Sequence, residues 1–134
     1  MHELVLRIKE PDLCYVFAKN ATRRGRPELA LQAYRRAVDL RAEQHADASG
    51  AELSALRAIY AYEEALSFNK GKRTRATGTW QLVNRHGVLP ALFKRLQSRD
   101  HEEVLPTLIE LGMEDYSFNA VCEAHPEAFD QIAA

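Results

Sequence analysis

The stretch from Ala51 to Phe68 constrains the fold more than any other part of this chain. It is the longest uninterrupted run of strong helix formers, so it predicts one long helix. Leu53 and Leu56 belong to an apolar face that is broad for a surface helix, which predicts a central position in a helical bundle. A polar connector precedes the helix, and Ser49 or Gly50 is expected to cap it.

Two further helices are predicted before the long one, with a turn between them at Gly25. Leu13, Val16 and Phe17 share one face of the first helix, and we expect that face to point into the core. Gly25 suits the left-handed turn that ends many helices, and Pro27 suits the first position of the next one. The pattern therefore predicts a helical hairpin.

Over residues 12–44 this hairpin resembles a tetratricopeptide repeat. Gly25 stands at the position of the family's turn glycine. Ala30, Tyr34 and Ala37 match the small, aromatic and small residues of the family's second helix. Small residues let two antiparallel helices approach closely, and the aromatic ring fills the gap beside them. The resemblance implies a hairpin that offers a groove to a protein partner, and we expect that groove beside Leu31 and Tyr34.

The chain departs from the family pattern at several positions. Cys14 and Ala18 stand where the first helix usually has Trp and Gly, and Ala42 replaces the closing proline. The spacing recurs once, 28 residues later, at Ala58, Tyr62 and Ala65. Because the family period is about 34 residues and a stable array needs at least about three repeats, the sequence predicts a single degenerate hairpin. A generic antiparallel helix pair would explain the same residues.

The remaining residues predict several short helices, so the fold class is all-α. We expect one domain with a bundle of six to eight helices, because 134 residues suit a single core. Its parts are a hairpin and long helix (1–68), a basic loop (69–78) and a subdomain of shorter helices (79–134). In the last part, Asp100 is expected to cap a helix over 101–111, and Ser117 a helix over 118–125.

Charge is strongly segregated along the chain. Residues 67–99 contain eight Lys or Arg and no Asp or Glu, whereas residues 100–134 contain nine Asp or Glu and no Lys or Arg. Four of the cations fall within six residues, and they are the candidate polyanion site: Lys70, Lys72, Arg73 and Arg75. The sequence leaves three readings open, namely a solvated turn, pairing with the acidic C-terminal block, and contact with nucleic acid or another polyanion. We expect an exposed, flexible loop here.

A helix-turn-helix arrangement is one way in which residues 70–99 could meet DNA. Residues 79–96 predict two helices with a turn at Gly87, and the second would present Lys94, Arg95 and Gln97. His86 and Pro90 do not fit the usual pattern of this motif. Residues 70–87 also resemble a segment of bacterial proteins without an assigned function, which implies a bacterial, cytoplasmic origin and no activity.

The sequence offers no constellation for catalysis, a metal or a cofactor. The five histidines lack ligand spacing, and nucleophile and dinucleotide motifs are absent. Cys14 and Cys122 are expected to be buried thiols. No apolar run reaches the length of a membrane span. We therefore predict a non-enzymatic interaction or scaffold protein that binds a protein partner or a second copy of itself, or else a nucleic-acid-binding protein that uses residues 70–99.

Overall fold

The computed structural model describes residues 1–45, 47–48 and 50–133, and every regular element in these ranges is a helix. The all-α prediction is therefore confirmed. The described residues form nine α-helices, one more than the predicted maximum, and two 3-10 turns at Asp100–Val104 and Glu114–Tyr116. In chain order the helices are α1 (Glu3–Leu6), α2 (Pro11–Arg23), α3 (Pro27–Glu43), α4 (Ala51–Lys70), α5 (Thr77–His86), α6 (Val88–Ser98), α7 (Leu105–Glu110), α8 (Phe118–Ala124) and α9 (Pro126–Ala133).

Helix α4 forms the centre of the bundle, as predicted. It packs against α3 on one side and against α6, α7 and α8 on others. Leu56 and Ile59 are fully buried, and α4 also buries Tyr62 and every alanine after Ala51. Of the two predicted caps, Ser49 lies outside the described residues, and Gly50 precedes the helix with a positive φ of 57°.

Helix α3 folds back against α2 through a tight turn at Gly25, which confirms the predicted boundary. Gly25 has a φ of 73°, and the amide of Arg26 donates to the carbonyl of Ala21 at 2.8 Å. This is the Schellman arrangement that a left-handed glycine allows. Pro27 opens α3, also as predicted.

The predicted inner face of α2 is wrong for Leu13 and Val16, whereas Phe17 is half-buried and packs against the hairpin core as expected. Leu13 and Val16 are 52% and 57% exposed, whereas Cys14 and Ala18 are fully buried. The buried residues meet a row of alanines and leucines on α3. Small side chains on both helices allow the close approach, and this packing turns Leu13 and Val16 away from α3.

The C-terminal half contains shorter helices than the sequence indicates. The predicted helix over 101–111 is a 3-10 turn followed by α7, and Asp100 does not cap it with its side chain. Pro106 lies in the first turn of α7, where its missing N–H costs little, so the helix begins there. The predicted cap at Ser117 is confirmed, because its hydroxyl accepts from the amide of Ala120 at 3.1 Å.

A clamp joins the hairpin to the C-terminal half. The guanidinium of Arg35 on α3 donates to both carboxylate oxygens of Asp115, at 2.8 and 2.6 Å, and to the carbonyl of Gly112 at 3.2 Å. It also lies over the ring of Tyr116, 4.1 Å from the centroid. The hydroxyl of Tyr116 donates to Asp39, one turn further along α3. Part of the acidic block is therefore neutralised by α3.

Candidate partner-binding groove

The basic loop is shorter than predicted. Lys70 is the last residue of α4, and Thr77 and Gly78 already belong to α5, so the loop proper is 71–76. Gly71 ends α4 in the left-handed conformation with a φ of 70°. Three side chains of α4 hold the loop against the bundle, namely Glu63, Glu64 and Ser67.

Glu64 binds the loop through Arg73. The Nη1 and Nη2 atoms of Arg73 donate to the two carboxylate oxygens of Glu64, at 3.2 and 2.9 Å. The hydroxyl of Tyr15 on α2 donates to the same carboxylate at 2.9 Å, and the guanidinium lies over the Tyr15 ring. Glu64 is only 5% exposed, so its charge needs these donors.

Glu63, the residue before Glu64 in α4, also holds the loop against the bundle. Its Oε2 accepts from the amide of Ala76 at 2.7 Å and from the indole Nε1 of Trp80 at 2.8 Å. Arg75 is 3.9 Å from this oxygen and keeps most of its side chain in solvent. Since the carboxylate is buried, it fixes both the end of the loop and the start of α5.

Ser67 completes the attachment. The amide of Thr74 donates to its hydroxyl oxygen at 2.9 Å, and the hydroxyl donates back to the carbonyl of Thr74 at 3.3 Å. With the two glutamates, this ties the loop at residues 73, 74 and 76. The backbone of the expected flexible loop and the side chain of Arg73 are therefore hydrogen-bonded to α4.

The loop cations divide into two groups. Arg73 and Arg75 lie beside glutamates of α4, whereas the acidic C-terminal block supplies no partner to them within the described residues. Lys70 and Lys72 are exposed, and neither has a carboxylate within 4 Å in the described part of the chain. Lys70 and Lys72 are thus the candidates whose charge is not matched internally.

A groove brings the two predicted sites together. It has a volume of about 200 Å³ and lies between α2, α3, α4 and the loop, with Leu111 at one side. We name it the tyrosine groove, and its lining residues are Tyr15, Tyr34, Glu64, Ser67, Phe68, Lys72, Arg73 and Leu111. Tyr34 comes from the predicted partner surface, and Lys72 and Arg73 come from the predicted polyanion site.

Leu31, the other residue of the predicted partner surface, is not part of this lining. It is half-buried and packs against the central core. Phe68 takes its place in the groove with 55% of its surface exposed. The sequence offers one signal for this role of Phe68, namely its position in the last turn of the predicted long helix, next to the basic loop.

Two polar groups of the groove, Tyr15 and Arg73, have a pKa that is raised above the usual value. Burial, together with the charge of Glu64, raises the pKa of Tyr15 above its usual value of 10.0, so its hydroxyl remains a donor. Burial lowers the pKa of Arg73, but the hydrogen bond and charge of Glu64 raise it by more. With the ammonium of Lys72 at the rim, the groove presents one excess positive charge next to apolar rings.

The helices that follow the loop contribute little further positive charge to this groove. Arg95 of α6 turns inward, donates to the hydroxyl of Tyr62 at 3.4 Å and lies 3.6 Å from Asp100. Lys94 and Arg85 are exposed elsewhere. Gly87 alone separates α5 from α6, whereas DNA-binding helix-turn-helix motifs use a turn of about three to four residues.

No three metal-ligating side chains converge among the residues that the structure describes. In the same ranges, none of the helices has the length and apolar character needed to cross a bilayer. Comparisons with protein-family models, curated proteins and solved structures find no match for this chain.

Proposed function

We propose that this protein is a non-enzymatic interaction module whose tyrosine groove binds a peptide segment of a protein partner. The observation that carries the proposal is the position of Phe68, which is 55% exposed beside Tyr34 and Lys72. An exposed aromatic ring next to a cation favours a ligand with an apolar side chain beside an acidic one.

The rest of the groove supports this ligand class. Glu64 is neutralised by Arg73, so it does not repel an incoming carboxylate. Lys72 lies at the rim without an internal partner in the described ranges. The tetratricopeptide-like hairpin supplies Tyr15 and Tyr34, whose ring centroids are 6.3 Å apart and form one wall. Rigid walls reduce the ordering cost of binding.

The proposal is tested with three synthetic peptides of equal length, which carry a fluorescent label for anisotropy. The first has acidic residues around a central phenylalanine, the second replaces the acids by lysine, and the third replaces the phenylalanine by alanine. We expect the first to bind, the second not to bind, and the third to bind about tenfold more weakly.

Variants of the chain locate the binding site. Phe68→Ala and Lys72→Ala should each weaken binding of the first peptide by about fivefold, since each removes roughly 1 kcal/mol of contact. The matched controls Val16→Ala and Lys94→Ala change an exposed apolar residue and an exposed lysine outside the groove, and they should leave the affinity unchanged. Equal losses in the groove and control variants would contradict the proposal.

Nucleic acid is the second candidate ligand. It is favoured by three exposed cations, Lys70, Lys72 and Arg75, and by the exposed ring of Phe68, because phosphates and a stacked base need such groups. A labelled single-stranded oligonucleotide distinguishes the two ligands in the same assay. Salt-sensitive oligonucleotide binding that also weakens in Lys94→Ala, together with no binding of the acidic peptide, would favour nucleic acid.

A further inference from the structure

A second groove lies beside α1 at the turn between α2 and α3, and it shares no lining residue with the tyrosine groove. Leu4 of α1, Phe17 of α2 and Leu29 of α3 line this groove, whose volume is about 270 Å³. Arg24 and Arg26 also line it, and Leu4 is 49% exposed. We name it the N-terminal groove. Its surface is apolar with two guanidinium groups at the rim, and Arg26 is already paired with Glu28, so Arg24 supplies the net positive charge.

An exposed patch of opposite charge lies on the C-terminal half. Ile109 is 50% exposed and lines an open depression together with Ala120, Glu114 and Asp115. Glu110 follows Ile109 in the chain and is exposed. We name this surface the Ile109 patch. Asp115 is already paired with Arg35, so Glu110 and Glu114 supply the net negative charge at its edge.

We infer that these two surfaces bind each other between copies of the chain, with the Ile109 patch of one copy in the N-terminal groove of another. Both surfaces combine an exposed aliphatic side chain with charge, and the charges are opposite in sign. Burying Ile109 and Leu4 against each other removes apolar surface from water, while the charged rims fix the orientation.

The occupant is a second copy because one chain carries both complementary surfaces. They share no residue and come from different elements, α1 to α3 on one side and α7 and α8 on the other. Each copy can therefore use both at once, and the contact is heterologous in the sense that unlike patches meet. Arg24 has no carboxylate within 4 Å in the described ranges, so it is available to Glu114 of the other copy.

The test uses paired charge reversals at exposed positions of the full chain. One variant carries Arg24→Glu and Arg26→Glu, and the other carries Glu110→Lys and Glu114→Lys. Sedimentation velocity is measured over an approximately hundredfold range of protein concentration at about 0.05 M and about 0.5 M salt. Circular dichroism first establishes that each variant has the helix content of the wild type.

We expect the wild type to associate with concentration at low salt, and each variant alone to sediment as a monomer. An equimolar mixture of the two variants should associate again, because a reversed groove then faces a reversed patch. Ile109→Ala should weaken wild-type association at least about fivefold, since it removes the apolar part of the contact.

Three results would overturn the inference. The first is a wild type that stays monomeric at the highest concentration and low salt. The second is association that survives in both variants alone. The third is a mixture of variants that does not associate although each variant is folded.

Discussion

Arg73 and Glu64 form a two-point ion pair in which one guanidinium donates to both oxygens of a buried carboxylate. Arg73 is nine residues after Glu64, and it returns to α4 because Gly71 reverses the chain with a positive φ. The pair links a residue predicted to bind external anions with a carboxylate inside the central helix. Arg73 is therefore first a structural cation, and it defines one wall of the tyrosine groove.

Arg73→Met should lower the free energy of unfolding by about 1–3 kcal/mol, because it leaves a buried carboxylate with only the Tyr15 hydroxyl as a donor. Urea denaturation followed by circular dichroism measures the loss. Arg85→Met is the matched control, since Arg85 is exposed on α5, and it should change stability by less than about 0.5 kcal/mol.

Adding Glu64→Gln to Arg73→Met should cost less than the sum of the two single losses, because the two residues share one interaction. If Arg73→Met is as stable as the wild type, the ion pair does not hold the loop.

The sequence predicted the outline of the fold because its signals are local. Gly25 and Pro27 mark a helix boundary through backbone geometry, and Ser117 caps α8 through its own hydroxyl. The prediction for the buried face of α2 is wrong at Leu13 and Val16 because apolar residues occur on two sides of that helix. Periodicity alone cannot choose between Leu13 with Val16 and Cys14 with Ala18, since the choice depends on how closely α3 approaches.

The candidate site was only partly predictable. Tyr34 and Lys72 were each identified from their own surroundings, but their meeting in one groove depends on the path of the loop. Glu63 and Glu64 were missed as binding groups, because a glutamate in a helix is usually solvated. The breadth of the apolar face of α4 could have indicated their burial, since a helix that is apolar on most sides leaves little room for a solvated glutamate pair.

Three tyrosines should ionise late in an alkaline titration. Burial is the largest cause that raises the pKa of Tyr15, Tyr60 and Tyr116 above the usual 10.0, and neighbouring carboxylates add to it. A raised pKa in the folded state gives stability that is complete below pH 10 and declines as the pH rises further. Absorbance at the tyrosinate band should therefore lag behind that of free tyrosine.

Single replacements assign this alkaline lag to individual rings. Tyr15→Phe and Tyr116→Phe should each remove part of the absorbance change that occurs above pH 10. A titration in which all five tyrosines follow a single curve at the ordinary pKa would contradict the burial of these hydroxyls.

The Arg35–Asp115 clamp should give the chain an acid-sensitive contribution to stability. The hydrogen bond from Arg35 is the main reason that the pKa of Asp115 lies below its usual 3.8. The pair therefore stabilises the fold above that pH, and its contribution declines as the pH falls below it. Because Asp115 is largely exposed, the contribution should be only about 0.2–1 kcal/mol.

The measurement compares the wild type with Asp115→Asn in urea, at neutral pH and at successive acidic pH values. The difference in unfolding free energy should be present at neutral pH and shrink below pH 3.8. Glu114→Gln is the control, because Glu114 is exposed beside Asp115 and has no cation within 4 Å in the described ranges. A difference that stays constant with pH would assign the effect to packing.

Two glycine replacements should change stability in opposite directions. Gly25 has a φ of 73°, and an added Cβ there meets no atom within 4 Å, so Gly25→Ala should cost about 1 kcal/mol through backbone strain alone. Gly78 lies in the first turn of α5 without a positive φ and with equally open space, so Gly78→Ala should add up to about 0.5–1 kcal/mol through helix propensity. Thermal unfolding by circular dichroism measures both shifts. Since the two replacements add the same methyl group, opposite signs can only arise from the backbone, and equal shifts would contradict the left-handed turn at Gly25.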